Sequence, residues 1–171
     1  MNTFKTAVIA TASIALLGTI IVTLVYFDQF DKGMINMERT FAMIKPDAIS
    51  AHNTGKIIDM IEQHGFTILG MEKTKLSKEQ AQTFYAVHKE RPFFAELVDF
   101  VTSGPVVIMC LEKENAIKAW RDLMGATDPA NAEPGTLRKL FGTDVGHNAV
   151  HGSDAPETAR QELTLFFPDL A

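Results

Sequence analysis

The residues best suited to chemistry lie in one short stretch, Asn148-Ala149-Val150-His151-Gly152-Ser153-Asp154. It sets an imidazole ahead of a Gly-Ser-Asp turn and runs directly into a helix with Pro156 in its first turn. Asp154 is placed to cap that helix, with Glu157 at the reciprocal position of a capping box. A histidine just before a helix N-terminus faces free N–H groups and the positive end of the dipole. An anion, or a phosphoryl group carried on the ring, is stabilised there. Farther along, helical spacing puts Glu157, Arg160, Gln161 and Thr164 on a wet stripe and Ala159, Leu163, Phe166 and Phe167 on a dry one. Glu162 flanks the dry side, where a carboxylate needs a partner. His151 is the candidate. The pairing would fix the tautomer and leave the other ring nitrogen free as a nucleophile; the alternative is an edge glutamate reaching water.

Cations are available nearby in sequence. In Asn115–Gly125 the polar stripe is Asn115, Lys118 and Asp122, so Arg121 falls at the border of the apolar face, semi-buried by pattern. Arg138 follows Gly135-Thr136-Leu137, and spacing does not decide its environment. Two or three such cations around one histidine would match a polyphosphate, because guanidinium forks suit phosphate oxygens; surface salt bridges are the alternative for each alone. Two other constellations fail on spacing. Asn53-Thr54-Gly55-Lys56 ends like a P-loop, but Ser50 occupies the place of the required first glycine. His147 and His151 are four apart, yet Gly146 and Gly152 flank them and no third ligand has metal-site spacing.

These side chains need elements to position them. The pattern predicts strands over Thr40–Lys45, over "FTILGMEKTKL" and over "PVVIMCLE". Helices are predicted over Thr54–Gly65, from a Ser77–Gln80 capping box through Lys89, over Pro92–Gly104, over Asn115–Gly125, and from about Ala155 to Phe167, with a helical turn or two at Thr136–Gly142. Ala126–Gly135 is a polar loop. Short strands alternating with helices, interrupted by helical pairs, indicate an α+β sandwich on a small sheet.

The chain has 171 residues and a net charge of −5. Lys5, Asp28, Asp31 and Lys32 cancel, so residues 37–171 carry the whole charge. A mildly acidic body argues against non-specific nucleic-acid binding, which needs a basic face. The lone Cys110 forms no intramolecular disulfide, which suits a reducing compartment. Ala7–Phe27 holds 21 residues without a charge, long enough to cross a bilayer as a helix. Two readings stay open for residues 1–36: an uncleaved membrane anchor, or sequence upstream of a true start at Met37, where the domain pattern begins. Residues 37–171 form the second unit.

The motifs "ERTFAMIKPDA", "FYAVHKERPFF", "SGPVV", "LMGATDPANAEPGTLR" and "NAVHGSD", with Glu162 downstream, give Glu38 to about Phe167 a close resemblance to the nucleoside diphosphate kinases. The resemblance implies a ferredoxin-like βαββαβ sandwich with additional helices and a homo-oligomer, tetramer or hexamer. It implies γ-phosphoryl transfer from a nucleoside triphosphate to a nucleoside diphosphate by a ping-pong route through His151, with low base specificity. By the same resemblance Glu162 and Ser153 would position the ring, and Tyr85 would donate near the transferring group. Lys45 and Asn148 would bind the ribose, Phe93 and Val145 would sandwich the base, and Arg121, Thr127 and Arg138 would hold the phosphates. Mg2+ would be carried mainly by those phosphates rather than by protein ligands. The expected location is the cytoplasm, with anchoring through Ala7–Phe27 as the alternative. A catalytically silent nucleotide-binding module and a membrane-tethered scaffold are the readings from other classes.

Overall fold

The computed structural model describes residues 37–171. Four strands, β1 (Met37–Ile44), β2 (Thr67–Thr74), β3 (Val106–Glu114) and β4 (Val150–Gly152), form one antiparallel sheet in the order β2-β3-β1-β4. Seven α-helices accompany them among the described residues: α1 (Pro46–Ser50), α2 (Thr54–Gln63), α3 (Lys78–Phe84), α4 (Phe94–Ser103), α5 (Ala116–Met124), α6 (Leu137–Phe141) and α7 (Pro156–Phe166). The architecture is α+β and ferredoxin-like, as the sequence predicts. The candidate span Ala7–Phe27 lies outside the described residues, and within them no helix is long and apolar enough to cross a membrane.

The central strand explains the layering. Side chains alternate across a strand, and β1 sends Ala42 and Ile44 to one face and Phe41 and Met43 to the other. The first pair packs with Ile57 and Ile61 of α2 and with Trp120, Leu123 and Met124 of α5. The second packs with Ala81 and Phe84 of α3, Val98 and Val101 of α4, and Leu163 of α7. Because both faces are covered, β1 is an unbroken apolar run from Phe41 to Ile44 rather than an alternating one. Each such large side chain taken out of water contributes about 1.5–3 kcal/mol.

Several local signals act as expected. Ser77 Oγ accepts from Gln80 N–H at 3.1 Å and Gln80 Oε1 accepts from Ser77 N–H at 2.9 Å, so the capping box at α3 is complete. Gly65 and Gly125 take positive φ where α2 and α5 end. Others need correction. Pro46, expected only to close a strand, opens the short helix α1 as its first residue. The helix predicted through Lys89 stops at Phe84 and continues as a single 3-10 turn, Ala86–His88. The histidine stretch itself forms β4, the fourth strand of the expected βαββαβ unit, which the residue pattern did not locate.

The cap of α7 also differs. Thr158, not Asp154, closes its first turn: Thr158 Oγ1 accepts from Asp154 N–H at 3.1 Å and from Ala155 N–H at 3.0 Å. Asp154 instead pairs with Arg121, and Glu157 is left exposed.

Candidate active site

His151 is the middle residue of β4, paired in register with Met43 of β1. Strand alternation therefore turns its ring toward the face that holds Phe41 and Phe84, while Val150 and Gly152 point to the opposite core. The ring centroid lies 4.9 Å from that of Phe84 and 6.1 Å from those of Phe41 and Tyr85. Gly152 has a steric reason on the other face. A Cβ there would come within 2.2 Å of the Trp120 ring, which is fully buried. That close approach lets Trp120 Nε1–H donate to the His151 carbonyl at 3.2 Å.

On α7, Glu162 faces the ring as its spacing suggests. His151 Nε2 and Glu162 Oε1 are 3.1 Å apart, and Ser153 Oγ–H donates to Glu162 Oε2 at 2.7 Å. Ser153 is anchored in turn: its Oγ accepts from Phe41 N–H at 3.2 Å and its own N–H donates to Phe41 O at 3.3 Å. A carboxylate bonded through both oxygens, one of them to a residue tied to β1, leaves the ring little freedom of orientation. Burial lowers the His151 pKa below the ordinary imidazole value, with the Glu162 hydrogen bond opposing the shift. The ring is therefore neutral at pH 7.

A cationic group stands beside it. Lys45 Nζ donates to Asn148 Oδ1 at 2.7 Å, and Asn148 Nδ2 donates to the carbonyls of Thr127 and Val145, both at 3.0 Å. Four of the predicted site residues are thus joined by one buried amide. Lys45 is held down at about 8 by burial, then by the charge of Arg138, with Asp47 opposing both. Arg138 is buried, donating from Nη1 to Gly125 O at 2.9 Å and from Nη2 to Val150 O at 3.3 Å, while Nε has no partner among the described residues. Burial, then Arg121, lowers it to about 10, which leaves it cationic at neutral pH.

Arg121 departs from expectation. Its side chain is 50% exposed rather than semi-buried and forms an ion pair with Asp154. Phe93 and Val145 are 48% and 57% exposed, unlike the apolar residues of either core. Phe93 meets the cluster through His88, at 5.6 Å between centroids, and His88 lies 6.4 Å from Tyr85. The Tyr85 hydroxyl is buried without a hydrogen-bond partner among the described residues, and burial, then Glu162, pushes its pKa far up, so it stays protonated. Trp120 and His88 are neighbours of the site that spacing did not single out, and Asp154 is one to which it gave another role. For Asp154, the Gly-Ser-Asp pattern suggested a cap and concealed the arginine 33 residues away.

The model of the nucleoside diphosphate kinase family matches residues 38–171. A nucleoside diphosphate kinase of Pelobacter propionicus is 63% identical over 131 residues, covering 77% of this chain and 96% of its own. One from Desulfotalea psychrophila is 60% identical over 134 residues, covering 78% and 98%. Among solved structures, the Aquifex aeolicus nucleoside diphosphate kinase superposes with a TM-score of 0.76 at 47% identity, covering 77% of this chain and 95% of that one. The Halobacterium salinarum enzyme in complex with CDP gives a TM-score of 0.74 at 43% identity, covering 76% and 87%. With the motifs, the sheet order and the histidine site in agreement, the chain belongs to the nucleoside diphosphate kinase family and is an enzyme of that kind.

Proposed function

We propose that this enzyme moves the γ-phosphoryl group of a nucleoside triphosphate, typically ATP, to a nucleoside diphosphate in two half-reactions through a phosphohistidine on His151. The observation that carries this reading is the Nε2 contact with Glu162, itself fixed by Ser153. It puts the proton on Nε2 and leaves the Nδ1 lone pair free. In the first half-reaction that pair forms the N–P bond while the P–O bond to the diphosphate breaks, its electrons leaving with the diphosphate oxygen. The ring then carries positive charge, which the Glu162 carboxylate opposes. The second half-reaction reverses these changes onto the terminal oxygen of another diphosphate, so one nucleotide site serves both.

The remaining residues follow the nucleotide outward. Arg121, Thr127 and Arg138 hold the phosphates, and a polyphosphate competes with Asp154 for Arg121. Tyr85 O–H, buried without a partner among the described residues, donates to the transferring group. Lys45 and Asn148 take the ribose hydroxyls. Phe93 and Val145 offer apolar faces to the base without reading its edges, which supports low base specificity. The cationic donor set of Lys45, Arg121 and Arg138 suits a metal that arrives on phosphate oxygens, the usual habit of Mg2+ at nucleotide sites. When bound, Mg2+ neutralises part of the phosphate charge. The CDP complex of the Halobacterium salinarum relative supports a diphosphate ligand. We also propose a homo-oligomer, tetramer or hexamer, to which β2, an edge strand among the described residues, is suited, and a cytoplasmic location with the nucleotide pools, anchoring through Ala7–Phe27 being the alternative.

The test is an intact mass after incubation with Mg·ATP and removal of nucleotide, followed by GDP. One acid-labile phosphoryl adduct is expected, lost as GTP forms and absent in His151→Ala. A folded protein that shows neither adduct nor GTP refutes the carrier role.

A further inference from the structure

The Lys45–Asp47 segment reaches across to the histidine strand by backbone and by side chain. Lys45 N–H donates to Ala149 O at 2.8 Å, and Ala149 N–H donates to Asp47 Oδ2 at 2.9 Å. Between these bonds the chain makes a turn that residues with a side chain rarely adopt. Ala149 has φ +66°, and Val150 N–H reaches back over it to Asn148 O at 2.7 Å. A positive φ under such an i→i+2 bond is the strained form of the γ-turn. Strain of this kind persists only where the surroundings over-determine it, and it concentrates at functional sites. Here the turn stands between Asn148, bonded to Lys45 Nζ, and His151 two residues on.

We propose that Asp47 is a positioning residue of the phosphotransfer site: its carboxylate holds the γ-turn at Ala149 and so fixes the Lys45–Asn148 pair relative to the His151 ring. The inference rests on the roles given above to His151, Lys45 and Asn148. Two observations separate it from ordinary packing. Asp47 Oδ1 is buried without a partner among the described residues, an arrangement that costs stability and that an apolar residue would avoid. Ala149 is itself fully buried, so the turn is not a surface loop free to relax, and without its brace the chain would drift toward an ordinary φ.

The experiment compares Asp47→Ala, Asp47→Asn and the double variant Asp47→Ala with Ala149→Gly, with Ala149→Gly as reference, in ATP-to-GDP transfer and thermal melting. Asp47→Ala is expected to lose roughly ten- to a hundredfold in kcat/KM, the scale of an ångström of misplacement. The double variant is expected to regain most of that loss, because glycine takes positive φ without strain and needs no brace. Asp47→Asn keeps an acceptor for the Ala149 N–H and should stay within about threefold of wild type. Wild-type kcat/KM in Asp47→Ala overturns the proposal. So does a loss that Ala149→Gly leaves unrecovered in a protein melting like wild type. If Asp47→Ala fails to fold, a double variant that folds but stays inactive, or a folded Asp47→Asn with the full loss, also overturns it. His151→Ala run alongside separates the two readings: transfer surviving it refutes the site, whereas its loss beside an inert Asp47 series refutes only the brace.

Discussion

On the proposed mechanism His151 must be neutral to attack and Lys45 charged to attract, and burial pushes both groups toward their neutral forms. The two consequences have opposite signs along the pH axis. Protonation of His151, whose pKa lies below 6.5, removes the nucleophile as pH falls. Deprotonation of Lys45, held at about 8, removes a ligand as pH rises. The profile of kcat/KM, which reports the free enzyme, is therefore expected to fall on the acid side below 6.5 and on the basic side near 8. Lys45→Arg should move the basic limb upward, since a guanidinium does not titrate there. A flat profile from pH 7 to 9.5, taken in steady-state assays, would count against charged Lys45 as a ligand. The closeness of His151 and Glu162 was legible in helical spacing, although the cap that marked the stretch is made by Thr158 rather than by Asp154. The setting of Arg138 was not legible, because a seven-residue context does not reveal two carbonyls brought from Gly125 and Val150. Asp47 carried no sequence signal, since its partner is a backbone N–H more than a hundred residues away.

Elements recovered from periodicity were those whose buried faces repeat over two turns or more, such as α2, α5 and α7. β4 escaped because three residues, one histidine and one glycine among them, hold no alternation to detect. Its existence depends on pairing with β1 rather than on its own composition. α1 escaped because a proline after a strand is usually punctuation. At this scale Gly152 is the vulnerable position, since the sheet and α5 approach each other there without space for a methyl group. Gly152→Ala is expected to destabilise the fold by about 1–3 kcal/mol through overpacking and to lower kcat by displacing the His151 peptide. Denaturant unfolding with parallel kinetics measures both. Unchanged stability would mean that Trp120 can yield.

Considered whole, the chain is acidic at −5, yet the charges of Lys45 and Arg138 act on His151 and that of Arg121 acts on Arg138. Such a local cluster suits a small anion at one place. Both cores and every assigned site residue fall within residues 37–171. Removing residues 1–36 is accordingly expected to leave kcat/KM within about threefold, as for an extension outside a self-contained domain. A larger loss in the purified truncated protein would show that the extension contributes to the site. The contact between Trp120 and the His151 carbonyl has an optical consequence. The chain has one tryptophan, so its tryptophan emission arises from a single indole hydrogen-bonded to the residue proposed to carry the phosphoryl group. On the proposed mechanism that emission is expected to change as a triphosphate loads the histidine and to return as a diphosphate unloads it, and stopped-flow fluorescence of the unlabelled protein measures both phases.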